Sequence, residues 1–219
     1  MPSLRSDLRT LDPYVSPQMP ARVRLNTNES PYPPPRSVTD ALVEEIGKAR
    51  LNRYPDRDAA SLVSALGARW RWPGEGVWVA NGSNEVFMHL FLAFGGPDRT
   101  ALTFEPTYSL HSLVPRLAMT SVAHLERGGD LEIDVDAALE WIGAHGPDVV
   151  IVCSPNNPTG GCTPPAAIER LVGECPGLVV VDEAYGEFAD PSDSVIPLLR
   201  EHDNLVVVRT FSKAWRLAG

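Results

Sequence analysis

Three short runs of β-branched residues, each emptying into polar residues, constrain this chain more than any other feature. They are Val149-Val-Ile-Val-Cys-Ser-Pro-Asn-Asn-Pro-Thr-Gly160, Leu178-Val-Val-Val-Asp-Glu-Ala-Tyr185 and Leu205-Val-Val-Val-Arg-Thr-Phe-Ser-Lys213. Continuous apolar runs of this length read as strands buried on both faces, the habit of a parallel sheet. Asn157 precedes Asp182 by 25 residues (182 − 157) and Asp182 precedes Lys213 by 31 (213 − 182), which leaves room each time for a helical crossover and the next strand. Pro164 to Cys175 fits the first crossover, with Pro164-Pro165 at its start and Pro176-Gly177 beyond its end. Ser194 to His202 reads as a shorter helix before the last strand. The pattern predicts an α/β fold with a doubly wound, mostly parallel sheet. Ligands of such sheets gather at the carboxyl ends of the strands, where Asn157, Asp182, Thr210, Ser212 and Lys213 would emerge.

Upstream, residues 1–36 are Pro-rich, lack a helical period and read as an extended arm; residues 37–219 form the domain. Ser37 to Ala49 is expected to be a helix with Ser37 as N-cap and Val38, Ala41, Leu42 and Ile46 on one face. A second helix, Asp58 to Trp72, is expected to be capped by Asp58. Val77 to Ala80 reads as a short strand, and Asn81-Gly-Ser-Asn-Glu85 as a turn into a helix from Val86 to Phe94. A strand, a small-residue turn and a helix N-terminus make a physical anion site, with Gly82, Ser83 and Asn84 around it; an ordinary N-cap is the alternative. Ala101 to Phe104 is the next strand, followed by Tyr108 at its edge, a weaker strand from Thr120 to His124 and a helix from Asp134 to Gly143. His111 and His124 read as packing or surface histidines, since no partner is visible near them in sequence.

Composition narrows the function classes. The formal charge is −9 and the pI about 5.0, without a basic stripe, which argues against nucleic acid and against an anionic membrane surface. A few local cations and backbone N–H groups would still serve a phosphorylated small molecule. Three cysteines, Cys153, Cys162 and Cys175, have neither a disulfide nor a metal-ligand spacing, so no metal is expected. No run approaches a membrane span or the apolar core of a signal peptide, which makes the cytoplasm the expected place.

Taken in order, several stretches resemble the fold-type-I pyridoxal-phosphate aminotransferases, and among them most closely the histidinol-phosphate aminotransferases. These stretches are Arg24-Leu-Asn-Thr-Asn-Glu-Ser-Pro-Tyr32, Asn52-Arg-Tyr-Pro-Asp56, Ala80-Asn-Gly-Ser-Asn-Glu85, Glu105-Pro-Thr-Tyr108, Ser154-Pro-Asn-Asn-Pro-Thr-Gly160, Val181-Asp-Glu-Ala-Tyr185 and Phe211-Ser-Lys213. The resemblance runs from about residue 8 to Gly219. It implies pyridoxal 5′-phosphate as cofactor, Lys213 as the amine that condenses with its aldehyde, and Asp182 as the carboxylate beside its ring nitrogen. Glu183, one alternation further on, would point elsewhere. Asn157 and Tyr185 are implied donors to the ring oxygen, and Tyr108 a ring stacked on the cofactor. Ser83, Asn84, Thr210 and Ser212 are the implied phosphate ligands, joined by Tyr54 from a neighbouring subunit, so that a homodimer is implied. Tyr14, Asn28 and Glu29 of the arm are implied on the substrate side. The implied reaction is amino transfer between L-histidinol phosphate and 2-oxoglutarate; a related threonine-phosphate decarboxylase activity and a non-catalytic cofactor-binding remnant are the alternatives.

The sequence departs from the resembled pattern at its end. Gly219 lies six residues after Lys213, where the resembled enzymes continue into a strand with a phosphate-gripping arginine and then a small C-terminal domain. Arg216 does not match that arginine by position. The expectation is therefore a truncated product or a piece of a longer protein, with an apolar edge left uncovered and activity of these 219 residues alone an open question.

Overall fold

The computed structural model describes residues 3–9, 11 and 20–219. After the arm come helices α1 (Arg36–Lys48), α2 (Ala60–Trp70) and α3 (Ser83–Phe94). The sheet-forming part then runs β1 (Thr100–Glu105), α4 (Leu110–Leu117), β2 (Ser121–Glu126), α5 (Val135–His145), β3 (Val149–Cys153), α6 (Pro165–Glu174), β4 (Leu178–Asp182) and β5 (Leu205–Val208). Among the described residues five strands form one sheet in the order β2-β1-β3-β4-β5, with every pairing parallel. The chain steps from β1 outward to β2, then crosses back to β3 on the other side of β1. The winding reverses between β1 and β3, and a crevice opens above that point.

Side-chain alternation decides which helix each strand residue meets. Leu102, Val150, Val152, Val179 and Val181 share one buried cluster with Ile142 of α5 and Ile168 and Leu171 of α6. Ala101, Val149, Ile151 and Val180 share the other with Phe87 and Phe91 of α3 and Val114 of α4. With both faces covered, the Val-rich runs are buried throughout β3 and nearly so in β4. Val-rich sequence and doubly covered sheet are thus the same fact.

Where the structure departs from the sequence expectation, local chemistry explains it. Val77–Ala80 is not a strand: Val77 is extended, at φ −115° and ψ 128°, but it forms no ladder with the described residues. A cavity of about 500 Å³, lined by Val77, Val79, Ala80, Val207 and Phe211 among others, separates this segment from the edge of β5. Helix α1 starts at Arg36, behind Pro35 and without a side-chain cap, so Ser37 is not the N-cap. Its apolar residues Val38, Leu42, Val43 and Ile46 are exposed, because the described residues place nothing against them. Asp56, not Asp58, caps α2: its carboxylate accepts from Asp58 N at 3.1 Å and from Ala60 N at 2.7 Å. The turn after Gly82 is already helical, so α3 begins at Ser83 rather than Val86. The segment expected as a helix from Ser194 to His202 is a 3-10 helix, Ile196–Arg200. No helix among the described residues is long and apolar enough to cross a membrane.

Asp134, read in the sequence as the first residue of a helix, caps α5 and accepts from Ala137 N at 3.0 Å. Asp134→Ala is expected to cost about 1 kcal/mol, the usual worth of such a cap. For a domain of this size that lowers the melting temperature by roughly 2–4 °C, measurable by circular dichroism.

Candidate active site

The carboxyl edge of the sheet collects the polar residues that follow each strand. β4 delivers Asp182 on the same face as Val180, toward α3 and α4. Only 3% of Asp182 is exposed, so its carboxylate needs partners. One oxygen accepts from Ala184 N at 3.0 Å, and the other lies 2.9 Å from His111 Nε2. His111 itself is 1% exposed, held by α4 against Phe87 and Tyr108, with ring centroids 5.0 and 5.5 Å away. This corrects the sequence reading of His111 as an unpartnered packing histidine. The pairing spans 71 residues of chain, and no local signal could have announced it. His124 is also partnered, by Thr103 Oγ1 at 2.9 Å and by Glu105 at 3.5 Å.

Cys153, at the end of β3, completes the floor beneath Asp182. Ligand atoms of His111, Cys153 and Asp182 all lie within 4.8 Å of one another. Burial, with Asp182 adding to it, pushes the Cys153 thiol far up and keeps it protonated. A protonated thiol is a poor metal ligand, so the trio reads as packing around a carboxylate.

Lys213 stands just beyond β5, and its Nζ donates to Thr27 O at 3.0 Å and lies 5.8 Å from the Tyr185 ring centroid. Burial lowers its pKa from the ordinary lysine value, while Glu29 and Asp182 pull the other way. Tyr185 OH accepts from Asn28 Nδ2 at 2.9 Å, which ties the arm to the β4 loop. Asn28, Asn157 and Tyr185 line a cavity of about 330 Å³. The neighbouring Asn156, which the sequence reading passed over, is the loop's buried anchor. Its amide accepts from Thr107 Oγ1 at 2.9 Å and donates to Pro106 O and Thr159 Oγ1 at 3.0 and 2.9 Å.

The helix α3 N-terminus faces the β5 loop. Gly82 sits at φ 81° in the region that favours glycine, and a Cβ there would come 3.9 Å from Ser212 Oγ. Thr210 Oγ1 donates to Ser212 Oγ at 3.0 Å and accepts from Ser212 N at 3.2 Å. Gly82, Ser83, Thr210 and Ser212 therefore form one small polar cup at the positive end of a helix dipole. Asn84 adjoins it and accepts from Tyr108 OH at 3.4 Å.

Asn28 thus joins Tyr185 by a hydrogen bond, and Lys213 lies near that ring and within electrostatic reach of Asp182, while Gly82 meets Ser212, and Asn84 meets Tyr108, at the start of α3. Glu29 is exposed but close enough to act on Lys213 electrostatically. Tyr54 is fully exposed and joins neither group within this chain. Tyr14 lies outside the described residues.

A pyridoxal-type cofactor fits these groups. Asp182 keeps lone pairs beyond the two contacts it makes, the cup offers hydroxyls and a helix terminus to a phosphate, and Lys213 presents a desolvated amine. Two expectations follow. The chain has two lysines, Lys48 and Lys213; Lys48 is exposed and its pKa is raised by Glu44 and Glu45. Reductive methylation at mildly alkaline pH should therefore modify Lys213 first, as read by peptide mass spectrometry; faster reaction at Lys48 would contradict the desolvation argument. His111→Phe should leave a buried carboxylate short of a donor and cost about 1–3 kcal/mol in urea denaturation.

The aminotransferase class I and II family model matches residues 21–219. The histidinol-phosphate aminotransferase of Thermobifida fusca (strain YX) is 46% identical over 228 residues, covering 99% of this chain and 60% of that protein. That of Corynebacterium glutamicum (strain R) is 47% identical over 225 residues, covering 99% and 61%. Among solved structures, the histidinol-phosphate aminotransferase of Sinorhizobium meliloti in complex with pyridoxal-5′-phosphate superposes with a TM-score of 0.87 at 24% identity. It covers 99% of this chain and 60% of that one, and shows the fold. The chain spans about 60% of the length of the curated relatives it matches. With its parallel sheet, its carboxylate-and-lysine edge and a family match over nearly its whole length, the chain belongs to the class I and II aminotransferases.

Proposed function

We propose that this chain forms the cofactor-binding part of a pyridoxal-phosphate aminotransferase acting on L-histidinol phosphate with 2-oxoglutarate as the keto partner. The observation that carries the reading is the convergence of a buried, doubly held Asp182 with the half-buried Lys213 at one sheet edge. The choice of substrate rests on relatives of that name at 46–47% identity. When bound, the cofactor supplies an electron sink through its protonated ring nitrogen.

The chain's own residues then have separate tasks. Asp182, with His111 behind it, holds the proton on the ring nitrogen, since a fixed negative charge favours the charged form. Thr210, Ser212, Ser83 and Asn84 hold the phosphate in the cup at the start of α3. Tyr108 would pack its ring against the cofactor ring, and Asn157 and Tyr185 would donate to the ring oxygen. Lys213 would anchor the cofactor and, as a free amine, would accept the proton that leaves the substrate Cα. Its depressed pKa suits that work, because a neutral amine is needed to accept the proton. Asn28 and Glu29 line the substrate side, and Tyr14 belongs to the same arm.

The proposal includes a homodimer in which Tyr54 serves a second copy, supported by its complete exposure here. It also includes the cytoplasm as the place of action and residues 37–219 as the domain, with 1–36 as the arm.

Intact mass after incubation with pyridoxal phosphate and borohydride tests the site. One adduct is expected on the wild-type chain and none on Lys213→Ala. An adduct that survives the substitution would refute the lysine assignment. Conversion of L-histidinol phosphate only in the presence of 2-oxoglutarate then supports amino transfer, whereas release of an amine from threonine phosphate without a keto acid favours the decarboxylase alternative.

A further inference from the structure

We propose that Glu183 and Arg209 form a positioning pair that fixes the strand end carrying Asp182 against the strand end carrying Thr210, Ser212 and Lys213. The inference rests on the cofactor reading above and concerns how the two halves of that site keep their separation.

The pair follows from strand register. β4 and β5 pair with Asp182 opposite Val208, so Glu183 and Arg209 are the next lateral neighbours, one residue beyond the ladder. Alternation turns Glu183 away from Asp182, and it is 2% exposed. Its carboxylate is fully engaged. Oε1 accepts from Val195 N at 2.7 Å, while Oε2 accepts from Ser194 Oγ at 2.9 Å and from Arg209 through both Nε, at 3.0 Å, and Nη2. Arg209 grips the same loop a second time, donating from Nη1 to Glu187 Oε1 at 2.9 Å. Its guanidinium also lies over Trp70, 5.6 Å from the ring centroid. Gly186 makes room for it, since a Cβ there would stand 2.9 Å from Arg209 Nη2.

The segment from Asp182 to Glu187, which also carries Tyr185, is therefore wrapped around a side chain that leaves the backbone directly before Thr210. A buried ion pair adds little net stability over an apolar pair of similar size. What a guanidinium with two carboxylates adds is direction, because its planar fork fixes both distance and angle. Asp182 and Thr210 are the backbone neighbours of the two partners. The pair thus sets the distance between the ring-nitrogen end and the phosphate end of the site.

A ligand that touches both ends measures that distance, and one that touches only the cup does not. Equilibrium binding of pyridoxine 5′-phosphate, which has no aldehyde for Lys213, should be compared with that of inorganic phosphate. Arg209→Lys keeps the charge and loses the fork. It is expected to weaken pyridoxine phosphate roughly tenfold, because the two ends no longer keep their separation, and to change inorganic phosphate less than about twofold. Equal losses for both ligands, or no loss for either, would overturn the proposal. Gly186→Ala, which displaces the guanidinium and removes no charge, should give the same asymmetry and serves if thermal melting shows Arg209→Lys to be unfolded. A wild-type protein that binds pyridoxine phosphate alongside an indifferent Arg209→Lys overturns the pairing alone. A wild-type protein that binds phosphate but not pyridoxine phosphate overturns the cofactor reading and the pairing with it.

Discussion

The structure depends on one constraint: a parallel strand covered on both faces has nowhere dry to put a polar side chain without a partner. β4 alternates Val179 and Val181 toward α5 and α6, and Val180 and Asp182 toward α3 and α4. The first charged residue of the run therefore arrives buried, and the fold has to supply what water no longer can. It does so with His111 from α4 and the backbone N–H of Ala184. The same alternation sends Glu183 to the opposite side, where Arg209, Ser194 and Val195 receive it. Two adjacent acidic residues thus acquire different environments from nothing more than strand geometry.

The topology turns these local solutions into a site. Because the winding reverses between β1 and β3, the segments that leave β1, β3, β4 and β5 converge above one edge. Each brings a different functional type: Tyr108 an aromatic ring, Asn157 an amide, Asp182 a carboxylate, and Thr210, Ser212 and Lys213 two hydroxyls and an amine. The arm closes over this edge through Thr27 and Asn28, which reach Lys213 and Tyr185 across 186 and 157 residues of chain. Burial of Lys213 moves its amine toward the neutral form that proton transfer requires.

The edges of the sheet differ in character. β2 is a half-exposed edge with polar Ser121, His124 and Glu126 along it. The β5 edge faces an apolar cavity with Val77–Ala80 on its far side, and α1 carries exposed Val38, Leu42, Val43 and Ile46. These surfaces explain why sequence pattern failed at Val77–Ala80. A tetrapeptide of strand-favouring residues is a strand only if a neighbour accepts its hydrogen bonds.

Much was legible in the residues themselves. Val-rich runs of strand length, crossover-sized gaps and proline-flanked helix starts determined an α/β parallel sheet, because each is a local preference that the fold had no reason to override. The order of polar residues after each run determined which side chains reach the sheet's carboxyl edge. Partnership was decided only by tertiary structure. His111 against Asp182, Arg209 against Glu183 and Asn28 against Tyr185 join residues 71, 26 and 157 positions apart, and hydrogen bonding at such separations leaves no periodic trace in sequence. Sequence sets which groups the chain must bury or present; only the packed fold decides which of them meet, because burial leaves each buried charge dependent on the partner that packing brings to it.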